Sequence, residues 1–80
     1  MRVDKFLKIS RLVKRRTVAK EMADQGRVSV NGKTVKSSYN VAIGDVIAVA
    51  YGTRVIKAKV LSLRETTKKA EASDLYELID

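Results

Sequence analysis

A chain of 80 residues with no cysteine, no histidine and a net charge of +8 excludes several kinds of chemistry at once. At this length one domain, 1–80, is expected, burying only about 60% of its unfolded surface and leaving little room for a deep catalytic pocket. Disulfides, thiolate metal sites and imidazole chemistry are all unavailable. All of the net charge lies in residues 1–36, which carry eleven Lys and Arg against three acids, Asp4, Glu21 and Asp24. Residues 37–80 carry six of each sign. A basic half on a small domain suits a phosphate backbone, because each cation that neutralises a phosphate releases condensed counterions.

From Val3 to Ile9 the apolar residues Val3, Phe6, Leu7 and Ile9 fall at helical spacing, with Lys5 and Lys8 on the other side. Ser10-Arg11 ends this helix. After Leu12-Val13 and the basic block Lys14-Arg15-Arg16, a second helix is predicted from the stripe Val18, Ala19, Met22 and Ala23. Gly26 marks its end, since glycine takes the left-handed conformation that closes helices. Its start is unusual. Arg15 and Arg16 fall where the helix dipole and free N–H groups repel cations, at a cost of a few tenths to about 1 kcal/mol. A bound anion would remove that cost, and helix N-termini accept phosphates readily. The plainer alternative has both side chains swinging into solvent.

At Arg27 the period changes to two. Val28 and Val30 alternate with Arg27 and Ser29, Asn31-Gly32 signals a tight turn, and Thr34-Val35 resumes the extended pattern. Ser37 to Asn40 reads as a polar connection and Ile43-Gly44-Asp45 as a second turn. Asp45 to Tyr51 is the clearest strand. Gly52-Thr53 turns it into a strand from Val55 to Leu63, with Val55, Lys57, Lys59 and Leu61 opposite Ile56, Ala58, Val60 and Ser62. Thr66 to Ser73 predicts one or two helical turns, and Leu75 to Ile79 an edge strand or a packed tail. The fold class is therefore α+β, two N-terminal helices on a small antiparallel sheet.

Catalytic motifs fail on inspection. Gly26 and Gly32-Lys33-Thr34 imitate a P-loop, but five residues separate the glycines where four are needed, and the segment joins two strands. Glu21 and Asp24 read as solvated charges rather than an acid–base pair. Asp4, at the start of the first helix, is placed to cap it or to orient Arg2. Phe6 and Tyr51 read as core, whereas Tyr39 and Tyr76 are expected to be freer. With so few aromatics, shape and phosphate readout is favoured over stacking on single-stranded bases. No enzyme activity, cofactor or metal is expected.

The segments Arg2-Val3-Asp4-Lys5-Phe6-Leu7, Arg16-Thr17-Val18-Ala19-Lys20, Gly26 to Lys33 and Gly44-Asp45 together resemble the S-four RNA-binding domain, also called the alpha-L fold. The likeness covers about residues 1–50, with 51–80 supplying completing strands and a tail. Arg15 departs from the pattern, standing where many members have a small polar capping residue. The whole chain, including Thr66-Thr67-Lys68-Lys69, further resembles the stand-alone S-four family of bacterial ribosome-associated quality control. That resemblance implies binding to the obstructed large ribosomal subunit, its rRNA and its P-site peptidyl-tRNA. The tRNA would be steadied while the Ala-tailing factor RqcH directs C-terminal tailing. It places Arg2 and Arg16 at the RNA, with Lys5, Lys8, Arg11, Lys14, Arg15 and Lys20 on the same face and Arg27, Asn31 and Lys33 extending it from the hairpin.

The related heat-shock S-four family, which binds free large subunits with nascent chains, carries a long basic C-terminal extension that this chain lacks. A small S-four protein with another structured-RNA target is a further alternative. Outside that family, residues 2–20 form a basic amphipathic stretch of the kind that lies on membranes, and two helices can imitate a DNA-reading helix-turn-helix. The start Met1-Arg2-Val3-Asp4-Lys5 lacks a secretory h-region, so a cytoplasmic monomer without a membrane partner is expected.

Overall fold

The computed structural model describes residues 1–65 and 68–79. Helix α1 (Val3–Ile9) and helix α2 (Arg16–Asp24) precede strands β1 (Val28–Val30), β2 (Lys33–Thr34), β3 (Val46–Tyr51) and β4 (Arg54–Val60). A four-residue helix α3 (Lys69–Ala72) and a 3-10 turn (Ser73–Leu75) then lead into β5 (Tyr76–Ile79). The five strands form one sheet in the order β2-β1-β3-β4-β5, every neighbouring pair antiparallel. This is the α+β arrangement the sequence predicts.

The helical stripes bury as their spacing requires, with one exception. Val3, Phe6 and Leu7 of α1 and Ala19, Met22 and Ala23 of α2 enter the core, where Ile9 packs at its margin. Val18 does not: it is 40% exposed. The buried residues of α2 repeat at three and four from Ala19, and Val18 sits a step of about 100° off that line. Phe6 is fully buried, so replacing it with Ala should cost about 3–5 kcal/mol by lost transfer energy and the cavity left behind.

Both helix ends close with left-handed residues. Past α2, Gly26 (φ 78°) donates to the Ala23 carbonyl at 3.0 Å and Arg27 donates to Met22 at 2.9 Å. Past α1 the same job falls to Arg11, with φ 61° and its N–H on the Lys8 carbonyl at 3.1 Å. An L-residue there gives up about 1–2 kcal/mol that glycine would not.

The alternation of β1, β3 and β4 puts Val28, Val30, Ile47, Val49, Ala58 and Val60 on the helix-covered face. Asn31 and Gly32, at φ 51° and 85°, make the two-residue turn between β1 and β2, and both positive φ values match the sheet's twist. β4 ends at Val60, three residues short of the expected Leu63, because the Leu61 and Ser62 amides donate instead to the Leu75 carbonyl at 2.8 and 3.3 Å. Leu75 is fully buried there. Of the expected helical turns from Thr66, residues 69–72 form α3, while Thr66 and Thr67 lie outside the described residues. The last segment resolves as an edge strand, and Tyr76 packs against the core instead of standing free.

The stretch read as a polar connection is a structural tie. Val3 donates to the Tyr39 carbonyl at 2.7 Å, Asp4 to Ser37 at 3.4 Å, and Val41 to Met1 at 2.9 Å. Ser37 is buried as a result. The first two bonds satisfy free N–H groups of the first turn of α1, and all three fix where Arg2 and Asp4 stand.

Candidate nucleic-acid interface

Asp4 is the centre of the basic face. Its side chain is only 2% exposed, and it accepts from Arg2 at 3.1 Å through Oδ2 and from Arg16 at 3.4 Å through Oδ1. The Lys5 N–H also donates to Oδ1 at 2.8 Å. A buried carboxylate must be paired or hydrogen-bonded, and this one is both. The two arginines remain 43% and 47% exposed. Asp4 is not the N-cap of α1, which is Arg2, but inside the first turn it takes up the Lys5 N–H and orients Arg2, and it also draws in Arg16 from the start of the next helix. The N-cap residue Arg15 makes no side-chain cap for α2, and no acid stands in the first turn of that helix.

Beside this pair lies a groove of about 570 Å³ between the α1–α2 connection and the end of β3. Leu12, Val13, Val18 and Tyr51 form its apolar surface, and Arg11, Lys14 and Arg15 bring three cations to it. Tyr51, only half-buried, donates its hydroxyl to the Leu12 carbonyl at 2.7 Å, which ties the connection to the sheet. Burial raises the phenol's pKa above its ordinary value of 10.0. The basic block was legible in sequence; the cavity was not, because it forms between residues 11–18 and residue 51.

The other predicted residues spread around this centre. Lys8 is exposed in the last turn of α1. Lys5 pairs with Glu65 and holds that carboxyl below the usual glutamate range. Lys20 pairs with Asp24 at 3.2 Å, and this hydrogen bond lowers the Asp24 carboxyl, helped by the Ser37 N–H at 3.4 Å. Asp24 thus ties α2 to the 37–41 segment and is more than the solvated charge first read; Glu21 is exposed. Arg27 lines a smaller depression on the outer sheet face with Ser29, Thr34, Ala48, Ala50 and Val55, and Lys33 is exposed on β2. Asn31 has its amide committed inside the fold. Its Nδ2 donates to Asp45 at 3.0 Å and its Oδ1 accepts from the Val46 N–H at 3.0 Å.

A buried acid holding two arginines, ahead of an Asn-Gly hairpin, sets the geometry of the N-terminal half. Residues 1–47 match the model of the S4 domain. Over 79 residues the chain is 52% identical to the RQC P-site tRNA stabilizing factor of Bacillus subtilis, covering 99% of this chain and 92% of that protein. The chain belongs to the S4 domain family. Within that family, the RQC P-site tRNA stabilizing factor of Streptococcus pneumoniae is 48% identical, over 99% of this chain and 90% of its own length. Among solved structures, heat shock protein 15 of Vibrio cholerae matches with a TM-score of 0.90 at 30% identity, covering 99% of this chain and 81% of its own. Among the described residues of this S4 protein no helix is long and apolar enough to cross a membrane, and no cluster of acids is placed to hold a metal ion.

Proposed function

We propose that this protein is an RNA-binding factor of ribosome-associated quality control, which binds the obstructed large ribosomal subunit and steadies P-site peptidyl-tRNA. The carrying observation is the Arg2–Asp4–Arg16 arrangement, in which one buried carboxylate aims two half-exposed guanidinium groups outward. Planar forks held in place are suited to phosphate oxygens, which they bind in charge-assisted pairs. Arg11, Lys14 and Arg15 widen this surface along the α1–α2 connection, and Lys5, Lys8 and Lys20 add charge around it. Arg27 and Lys33 extend it from the hairpin, whose shape Asn31 maintains. In this reading rRNA and tRNA are bound together, in the cytoplasm, by a monomer acting beside RqcH during C-terminal tailing. The printed role of relatives matched along nearly the whole chain supports that choice of RNA.

Sedimentation tests the reading. The protein should travel with free large subunits bearing peptidyl-tRNA, more than with small subunits or translating ribosomes, and Arg16→Ala should release it. Recovery mainly with small subunits, or with mRNA free of ribosomes, would refute the quality-control role and leave RNA binding standing. The likeness to heat shock protein 15 favours a second reading, in which free large subunits with nascent chains are bound independently of tailing. Large-subunit association and tail synthesis, measured with and without the protein, separate the two.

A further inference from the structure

We propose that the groove bounded by Leu12, Val18 and Tyr51 seats one unstacked nucleobase, whose flanking phosphates lie on Arg11, Lys14 and Arg15. The inference rests on the RNA-binding reading and adds a subsite to it. Three features of the groove carry it.

Its chemistry is mixed in the way a nucleotide requires. A duplex backbone asks only for cations, and an apolar cavity among them offers it nothing. A base turned out of its stack presents an apolar face and a phosphate on either side, and such bases are what proteins read most readily in structured RNA. At about 570 Å³ the groove lies within the range of sites that enclose small ligands.

Its walls are fixed before anything binds. The Tyr51 hydroxyl holds the Leu12 carbonyl at 2.7 Å, and the Val13 N–H holds the Leu7 carbonyl at 3.0 Å. A ligand entering a preformed site loses less affinity to ordering.

The groove's margin carries one exposed apolar side chain and one residue of unusual backbone. Val18 stays 40% exposed on the first turn of α2, off the buried line of that helix, and faces this groove. Arg11 occupies a left-handed position, φ 61°, where glycine would fold more comfortably.

The test uses RNA hairpins identical in length and charge, one with a single bulged nucleotide and one with an abasic residue at the same bulge. The protein should bind the intact bulge about 5- to 160-fold tighter, the worth of one stacked base. Val18→Phe, which fills the groove from an exposed position, should erase that preference while the abasic hairpin binds as before. Lys14→Gln should weaken both RNAs alike, because the two hairpins carry the same phosphates. Equal affinity of the unaltered protein for the two hairpins would overturn the subsite alone, because RNA binding itself would persist. An acidic apolar peptide competing for the groove, with the two RNAs bound equally, would assign it to a protein partner and also overturn the proposal. Failure to bind either hairpin would remove the subsite, while sedimentation with large subunits independently decides the broader reading.

Discussion

The Asp4 carboxylate and the Arg16 guanidinium meet at 3.4 Å across the α1–α2 junction, one buried and the other half in solvent. This asymmetry sets what each residue contributes. Arg16 can swing into water if released, whereas Asp4 has no such escape. Asp4→Asn keeps the shape and the acceptor for the Lys5 N–H but removes the charge that gathers Arg2 and Arg16. Stability should fall by about 1–3 kcal/mol, the worth of hydrogen bonds to a charged group. RNA affinity should also fall, although the protein becomes one charge more positive. Chemical denaturation and RNA titration on the same variant check both. Tighter specific binding by Asp4→Asn would mean that net charge, not arginine placement, governs the interface.

A second prediction concerns the hairpin. Asn31 combines a positive φ of 51° with a side chain that grips both Asp45 and the Val46 N–H. Asp45 in turn accepts from the Ala42 N–H at 2.8 Å, so two turns are linked through one amide. Asn31→Ala loses these bonds and places a Cβ without compensation in the left-handed region, and about 2–4 kcal/mol of stability should go with them. Asn31→Gly should recover only the backbone part. Thermal melts of the two variants separate the contributions; equal melting of Asn31→Ala and the unaltered protein would make the linkage ornamental.

The readability of this molecule divides along sequence distance. Helix α1, the Asn31-Gly32 hairpin and the alternation of β3 and β4 rest on periods of 3.6 and 2, which neighbouring residues specify. The basic face was equally plain, being a local excess of charge. What stayed hidden depends on partners far apart. Arg16 lies twelve residues from Asp4, Leu12 thirty-nine from Tyr51, and Lys5 sixty from Glu65. A helical stripe also leaves its own margin ambiguous: Val18 shares the spacing of the core residues but not their burial. The Leu75 carbonyl, which ends β4 at Val60, is another partner that no local pattern announces.

Tyr51 supplies a prediction in pH. Its phenol is raised above the ordinary 10.0 by burial, and only the neutral form donates to the Leu12 carbonyl. A group whose pKa is higher in the folded state gives stability that is complete below the unfolded value and is lost as pH climbs through the folded one. Stability should therefore show a Tyr51-dependent loss beginning above pH 10. Tyr51→Phe should be less stable by about 0.5–1.5 kcal/mol near neutrality, the net worth of one hydrogen bond. The variant should lack that alkaline component, while lysine deprotonation affects both proteins alike. Denaturation at a series of pH values gives the difference directly, and parallel curves for the two proteins would rule the coupling out.

The last prediction concerns how Arg2 and Arg16 divide their work at the RNA. Both are held by the same carboxylate, but Arg16 also stands at the start of an uncapped helix with no acid in its first turn. There the helix dipole opposes its charge, against which Asp4 supplies an ion pair at 3.4 Å. Arg16→Ala should consequently weaken large-subunit or RNA binding by about 1–3 kcal/mol while leaving the melting temperature nearly unchanged, since the lost Asp4 bond and the relieved dipole repulsion oppose each other. Arg2 is the N-cap residue of α1, where Asp4 in the first turn offsets the same repulsion. If it neutralises one phosphate, Arg2→Ala should reduce the slope of log affinity against log salt by about one. Affinity measured across a range of salt for the unaltered protein and both variants checks the division. Salt-independent binding would point to a protein partner held through apolar surface. Unchanged binding with a lowered melting temperature in Arg16→Ala would make that arginine structural.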